Sequence, residues 1–219
     1  MLFGSKTEMI TADQALPGRE SPMPVDGTHV VLGTSTVGPW PDGHEVLYVA
    51  MGCFWGAERI FWQLPGVHTT AVGYMGGWTT NPTYEETCTA RTGHTESVMV
   101  VYDPAQVTVE QLMAAFWENH DPTTPNRQGN DIGTQYRSAV FATTDEQLAA
   151  VTASAELYQR ALNTAGHGTI TTQICSAADA GDGVFYYAED YHQGYLHKNP
   201  RGYCNHGFCQ VAFPTAAAN

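Results

Sequence analysis

Val46-Leu47-Tyr48-Val49-Ala50-Met51-Gly52-Cys53-Phe54-Trp55-Gly56 is the stretch on which the architecture turns. Val46 to Met51 is a short, unbroken apolar run, the composition of a buried strand. Ala57 to Leu64 reads as a helix stopped by Pro65-Gly66. The link between them is a glycine-flanked turn that carries a thiol and two large aromatic rings. Outward from this unit the pattern recurs. Val98 to Tyr102 is a second buried run, followed by a capping box of Thr108 and Gln111. The helix after it carries Val109, Leu112, Met113, Phe116 and Trp117 at the spacing of one buried face. Arg137 to Ala142 is a third strand candidate. Thr144 and Gln147 repeat the capping-box pattern before a stripe of Leu148, Val151, Ala155, Tyr158 and Leu162. Gly166 and Gly168 end that helix, and Thr169 to Cys175 reads as a β-branched strand. Strands alternating with helices predict an α+β domain, a mixed sheet covered by helices.

The N-terminal 1–43 stretch is of a different kind. It holds five of the twelve prolines, at 17, 22, 24, 39 and 41, and glycines at 4, 18, 27, 33, 38 and 43. It is expected to be an extension of a domain spanning 44–219. From about residue 190 onward Gly, Pro and polar residues dominate, which predicts a loop-rich, mobile C-terminal tail. No internal repeat is found.

The 219 residues carry a formal net charge of −13, with 42% hydrophobic and 14% charged residues. That is too apolar for a disordered chain, and so acidic a surface argues against nucleic acid and anionic membranes, whose phosphates attract Lys and Arg. No apolar run reaches the length of a membrane span. Residues 1–20 lack the basic start and apolar stretch of a signal peptide, so a cytoplasmic location is expected. Five cysteines, at 53, 88, 175, 204 and 209, are an odd number, unlike a secreted disulfide framework. Cys53 stands out among them. A thiol at a helix N-terminus meets unpaired backbone N–H groups and the positive end of the helix dipole, both of which favour thiolate. Cys88 and Cys175 are assigned to structure.

Several blocks give the chain a specific resemblance. They are Gly52-Cys53-Phe54-Trp55-Gly56, Asn81-Pro82-Thr83-Tyr84-Glu85-Glu86-Thr87-Cys88 and Thr92-Gly93-His94-Thr95-Glu96. Further along come Gln128-Gly129-Asn130-Asp131-Ile132-Gly133-Thr134-Gln135-Tyr136-Arg137-Ser138, Ala188-Glu189-Asp190-Tyr191-His192-Gln193 and Lys198-Asn199-Pro200. In this order, over residues 45 to 204, the sequence resembles the A-type peptide methionine sulfoxide reductases. The resemblance implies a two-layer α/β sandwich with a ferredoxin-like mixed sheet. It also implies reduction of methionine S-sulfoxide, in proteins, peptides or free, to methionine, and hence repair of oxidised proteins. Cys53 would attack sulfur and Glu96 would supply the proton. Tyr84 and Tyr136 would donate to the sulfoxide oxygen, Asp131 would orient the site, and Phe54 and Trp55 would form the S-methyl pocket. Cys204 would resolve the sulfenic acid as a disulfide, Cys209 would relay it, and thioredoxin would restore the thiols, with no bound cofactor and no metal.

Taken singly, these residue types have plainer uses. A Glu before an apolar strand is ordinarily a solvated flank, an Asp in Asn130-Asp131-Ile132-Gly133 a turn former, and tyrosines half-buried packing. Two other readings stand beside the reductase. His192, His197, Cys204 and Cys209 are four potential zinc ligands within eighteen residues. A poised thiolate could also serve a thiol peroxidase.

Overall fold

The computed structural model describes residues 6–204 and 211–214. Along the chain run β1 (Glu45–Met51), α1 (Phe54–Trp62), β2 (Val67–Met75), α2 (Tyr84–Thr87), β3 (Thr95–Tyr102) and α3 (Val109–Glu118). A small hairpin of β4 (Arg127–Gln128) and β5 (Asp131–Ile132) precedes β6 (Ser138–Ala142) and the long α4 (Asp145–Thr164). The last elements are β7 (Gln173–Ser176), β8 (Tyr186–Tyr187) and α5 (Tyr195–Lys198).

Six strands form one mixed sheet in the order β7-β6-β1-β3-β2-β8. Every pair is antiparallel except β6 with β7. Successive side chains of a strand leave opposite faces, and β1 shows the division. Leu47, Val49 and Met51 join the main core, formed with α1, α3 and α4 through Phe61, Phe116, Trp117, Tyr158 and Leu162. Ala50, between them in sequence, belongs to the opposite face with Met75, Ala139 and Phe141, and that face is covered by Ala177, Ala180 and Phe185 from the irregular segment after β7. The helices therefore lie on one face, and the expected two-layer α/β sandwich with a mixed sheet is what the chain forms.

β2, β7 and α1 are among the elements that depart from the sequence reading. β2 is nine residues long and pairs with β3 over most of its length, yet it carries no signal beyond a mixture of Val, Thr and Ala, because eight of its nine positions are buried and no alternation shows. β7 is shorter than the β-branched run. Thr171 donates its N–H to Pro122 at 2.8 Å and Thr172 Oγ1 meets Ser138 Oγ at 2.8 Å, so that part of the run is tied to a loop and a side chain rather than to a strand ladder. α1 begins at Phe54, three residues before the expected start, for a reason found in the site. The capping box at Thr108 forms as expected, with both reciprocal bonds. At α4 only half of it does. Thr144 caps Gln147 N–H, while the Gln147 amide turns to Thr143 N–H, Glu45, Val46 and Tyr102.

The described part of 1–43 lies along the domain. Leu16 N–H donates to Arg91 O at 3.0 Å and Arg19 N–H to Thr80 O at 2.9 Å, and His29 is buried against Thr70 of β2. No described helix is long and apolar enough to cross a membrane.

Candidate active site

The sheet order brings three strand ends together. β1 ends at Met51, and both its neighbours are antiparallel to it, so β3 and β6 begin beside that end; Met51 pairs with Ser138. Cys53 follows β1, Glu96 stands at the start of β3, and Tyr136 and Asp131 come just before β6. Gly52 makes the sharp exit from β1. Its φ is +86°, and a Cβ there would lie 2.5 Å from Gln128 Cβ, so both backbone and space call for glycine.

Cys53 is the N-cap residue of α1, but its side chain leaves the first helical N–H uncapped. The first N–H of the helix, that of Phe54, donates instead to Glu96 Oε2 at 3.0 Å. A carboxylate from a distant strand thus fills the N-cap role and lets the helix start early, which no local motif could reveal.

Cys53, Phe54, Trp55, Tyr84, Glu96, Asp131 and Tyr136 line one cavity of about 180 Å³, together with Tyr203. Glu96 is only 2% exposed. Burial pushes its pKa up to about 8, the Asp131 charge adds to the rise, and the Phe54 N–H opposes it. The carboxyl is therefore largely protonated at neutral pH, unlike a solvated flank. Burial also pushes the Cys53 thiol up, the Glu96 charge pushes further, and the Trp55 N–H at the helix start pulls the other way and loses. The thiolate expected from the helix end alone is thus not the resting form, because desolvation of a buried sulfur outweighs the helix terminus. Tyr84 and Tyr136 are raised by burial and then by Glu96, so both keep their phenolic protons as donors.

Trp55 is held on two sides. Its Nε1 donates to His192 Nδ1 at 2.9 Å, and its ring stacks on Tyr195 with centroids 3.8 Å apart. Glu189 fixes Tyr84 by accepting its backbone N–H and joins it to Tyr74, whose hydroxyl donates to the other carboxylate oxygen, both at 2.9 Å. Tyr203 donates to Asp131 Oδ1 at 3.0 Å. Tyr203, Glu189 and Tyr195 received no role in the sequence reading, and His192 only that of a potential zinc ligand. All four lie within or next to the quoted blocks, but only the fold turns them towards the cavity.

A sequence profile of the peptide methionine sulfoxide reductases matches residues 45–213. The chain belongs to that family. Peptide methionine sulfoxide reductase MsrA 1 of Caulobacter vibrioides is 59% identical over 215 residues, covering 98% of this chain and 97% of the relative. The structure of methionine sulfoxide reductase A of Corynebacterium diphtheriae aligns at TM-score 0.85 and 48% identity, covering 95% of this chain and 100% of the other. Reduced Mxr1 of Saccharomyces cerevisiae aligns at 0.67 and 33%, covering 81% and 98%. Mxr1 has also been solved in complex with Trx2, and that structure aligns at 0.50 and 23%, covering 81% and 98%.

As a peptide methionine sulfoxide reductase the chain is an oxidoreductase, and the family match displaces the thiol peroxidase and zinc readings. Among the described residues no group of three or more His, Cys, Asp or Glu could hold a metal. His192 is buried with Nδ1 taken by Trp55, whereas His197 is exposed. Cys204 does not line the cavity. It is exposed, and its Sγ accepts a hydrogen bond from Arg59 Nη2 at 3.3 Å. It is near enough for its charge to raise Cys53. Cys209 lies outside the described residues. Cys88 and Cys175 are half-buried free thiols that do not line the cavity, and Cys88 lies behind it in hydrogen-bond reach of the Tyr84 hydroxyl.

Proposed function

We propose that Cys53 is the nucleophile and Glu96 the general acid in reducing the S epimer of methionine sulfoxide, protein-bound or free, to methionine. The observation that carries this reading is the buried Glu96 carboxyl in the same small cavity as the thiol, where burial raises its pKa. A sulfoxide sulfur is electrophilic only when its oxygen is protonated or strongly hydrogen-bonded, and Glu96, Tyr84 and Tyr136 are the donors in reach of the cavity. The Cys53 sulfur bonds to the sulfoxide sulfur as Glu96 passes its proton to the oxygen, and the thiol proton returns to Glu96. The oxygen then moves to Cys53, and its sulfenic acid and methionine separate. Phe54 and Trp55 receive the S-methyl group, the part of the side chain that oxidation leaves apolar. Asp131, bonded to Tyr203, orients the polar side of the site.

Cys204 condenses with the sulfenic acid, Cys209 takes over the disulfide, and a thioredoxin-type dithiol restores the enzyme. The yeast relative solved with Trx2 supports a thioredoxin as reductant. Residues 44–219 act as the reductase domain, 1–43 as an extension to it, and the tail from about 190 moves during the cycle. A cytoplasmic location suits this reducing chemistry. Epimer-resolved reduction of a sulfoxide with dithiothreitol tests the reading. The wild type should consume the S form alone, and Cys53→Ser neither form; consumption of the R form, or activity in the folded serine variant, would overturn it.

A further inference from the structure

One face of α1 meets His192, Gly194, Tyr195 and Cys204 of the C-terminal segment. Residues four apart in a helix share a face, and those three apart lie beside them. Trp55, Glu58 and Arg59 use that face in succession. Trp55 holds His192 and Tyr195. Glu58, buried, accepts the Gly194 N–H at 2.9 Å. Arg59, one turn beyond Trp55, donates to the Cys204 sulfur. Beyond α5 the described residues 199–204 form no regular element of their own. A turn bond from Gly202 N–H to Asn199 O at 2.8 Å is followed by two side-chain anchors, Tyr203 on Asp131 and Cys204 on Arg59.

We infer that Arg59 is a positioning residue for the resolving step: its guanidinium holds the Cys204 sulfur at the rim of the cavity, ready for the sulfenic acid on Cys53. The inference rests on Cys204 being the resolving cysteine. In that step the Cys204 sulfur attacks the Cys53 sulfur, an S–S bond forms as the S–O bond breaks, and the departing hydroxide takes up the thiol proton as water. Neither an external oxidant nor a reductant takes part. Arginine suits the task because its charge is permanent and its planar fork is preorganised, so a hydrogen bond from it costs little side-chain freedom. The chain carries only nine Lys and Arg among its 219 residues, and one of them is directed at this sulfur.

The test is a single turnover of the full chain with methionine S-sulfoxide and no reductant, quenched over time. Methionine is counted chromatographically, and the resolving step by peptide mapping of Cys53–Cys204 together with its relay product Cys204–Cys209. Arg59→Met should release methionine at the wild-type rate and form the disulfide about tenfold more slowly, with Cys53 sulfenic acid accumulating to a dimedone-trappable level. Arg59→Lys, which restores a charged donor, should recover most of the lost rate. Should Arg59→Met fail to fold, Arg59→Gln takes its place with the same expectation. Wild-type disulfide kinetics in the uncharged variant would overturn the role of Arg59 alone, as would an equal slowing of methionine release. A wild type that forms neither a Cys53–Cys204 nor a Cys204–Cys209 disulfide would overturn the assignment of Cys204 and the role of Arg59 with it.

Discussion

Cys53 and Glu96 stand at the ends of β1 and β3, where every neighbour from Ala50 to Phe54 and from Thr92 to Tyr102 is buried. Cys204 stands six residues beyond a four-residue helix, exposed, and its segment is held to α1 through a few polar contacts and one ring stack. The contrast fits the roles proposed for the two regions. An acid that is protonated near neutral pH needs a dry, rigid surrounding, which only the centre of a packed sheet supplies. A sulfur that must travel to a partner needs anchors weak enough to release, and single hydrogen bonds of about 1 kcal/mol serve that purpose.

The sharpest way to break the contrast is at the floor. Cys53→Ser should abolish methionine formation while leaving the far-UV spectrum intact, because a serine hydroxyl is hardly ionised and no adjacent base activates it. Residual turnover in the folded variant would move the chemistry elsewhere.

Glu96→Gln comes next, with single-turnover methionine formation expected to drop by roughly 10²–10⁴-fold, the usual loss for a missing general acid. In the wild type the acid is lost as pH rises through about 8, so that limb of the rate profile should vanish in the variant. Stability gives an independent reading. Between the ordinary 4.5 and about 8 the folded state keeps a proton on Glu96 that the unfolded chain releases, so wild-type stability falls as pH rises through this window. Thermal melts should show Glu96→Gln gaining on the wild type from pH 5 to pH 8; parallel curves would mean an ionised Glu96.

The tail is probed at Gly194. Its φ is +60°, and a Cβ there would lie 2.2 Å from Val30 Cγ1, so the extension and the C-terminal segment are fitted to each other at this point. Gly194→Ala should cost about 1–3 kcal/mol in urea melts, part of it recovered by adding Val30→Ala. Strict additivity of the two would show that the clash is not the cause.

The smallest effect is expected at Cys209→Ser. One equivalent of methionine should form at the normal rate, the protein should stall as Cys53–Cys204, and only thioredoxin-driven recycling should slow. In the wild type, one turnover without reductant should end as Cys204–Cys209 with Cys53 reduced. Mapping that finds only Cys53–Cys204, with normal recycling of the variant, would make Cys209 a bystander.

Much of this protein is written locally. The buried run before Gly52, the Thr108 capping box and the Phe116–Trp117 face of α3 depend on neighbours a few residues away, so sequence alone placed β1, α3 and their core residues. The quoted motif blocks likewise picked out seven of the eight side chains that line the cavity. The tertiary structure alone decided what those groups are worth. Glu96 caps a helix 42 residues away in sequence and is desolvated by strands on both sides, which turns a flank-like carboxyl into one protonated near neutral pH. The same burial keeps Cys53 as a thiol against the pull of its helix end. Strand β2, Tyr203 and the Arg59–Cys204 contact were beyond local reading for a common reason: their partners are brought close by chain topology, and neither desolvation nor a long-range hydrogen bond leaves a periodic trace in the sequence.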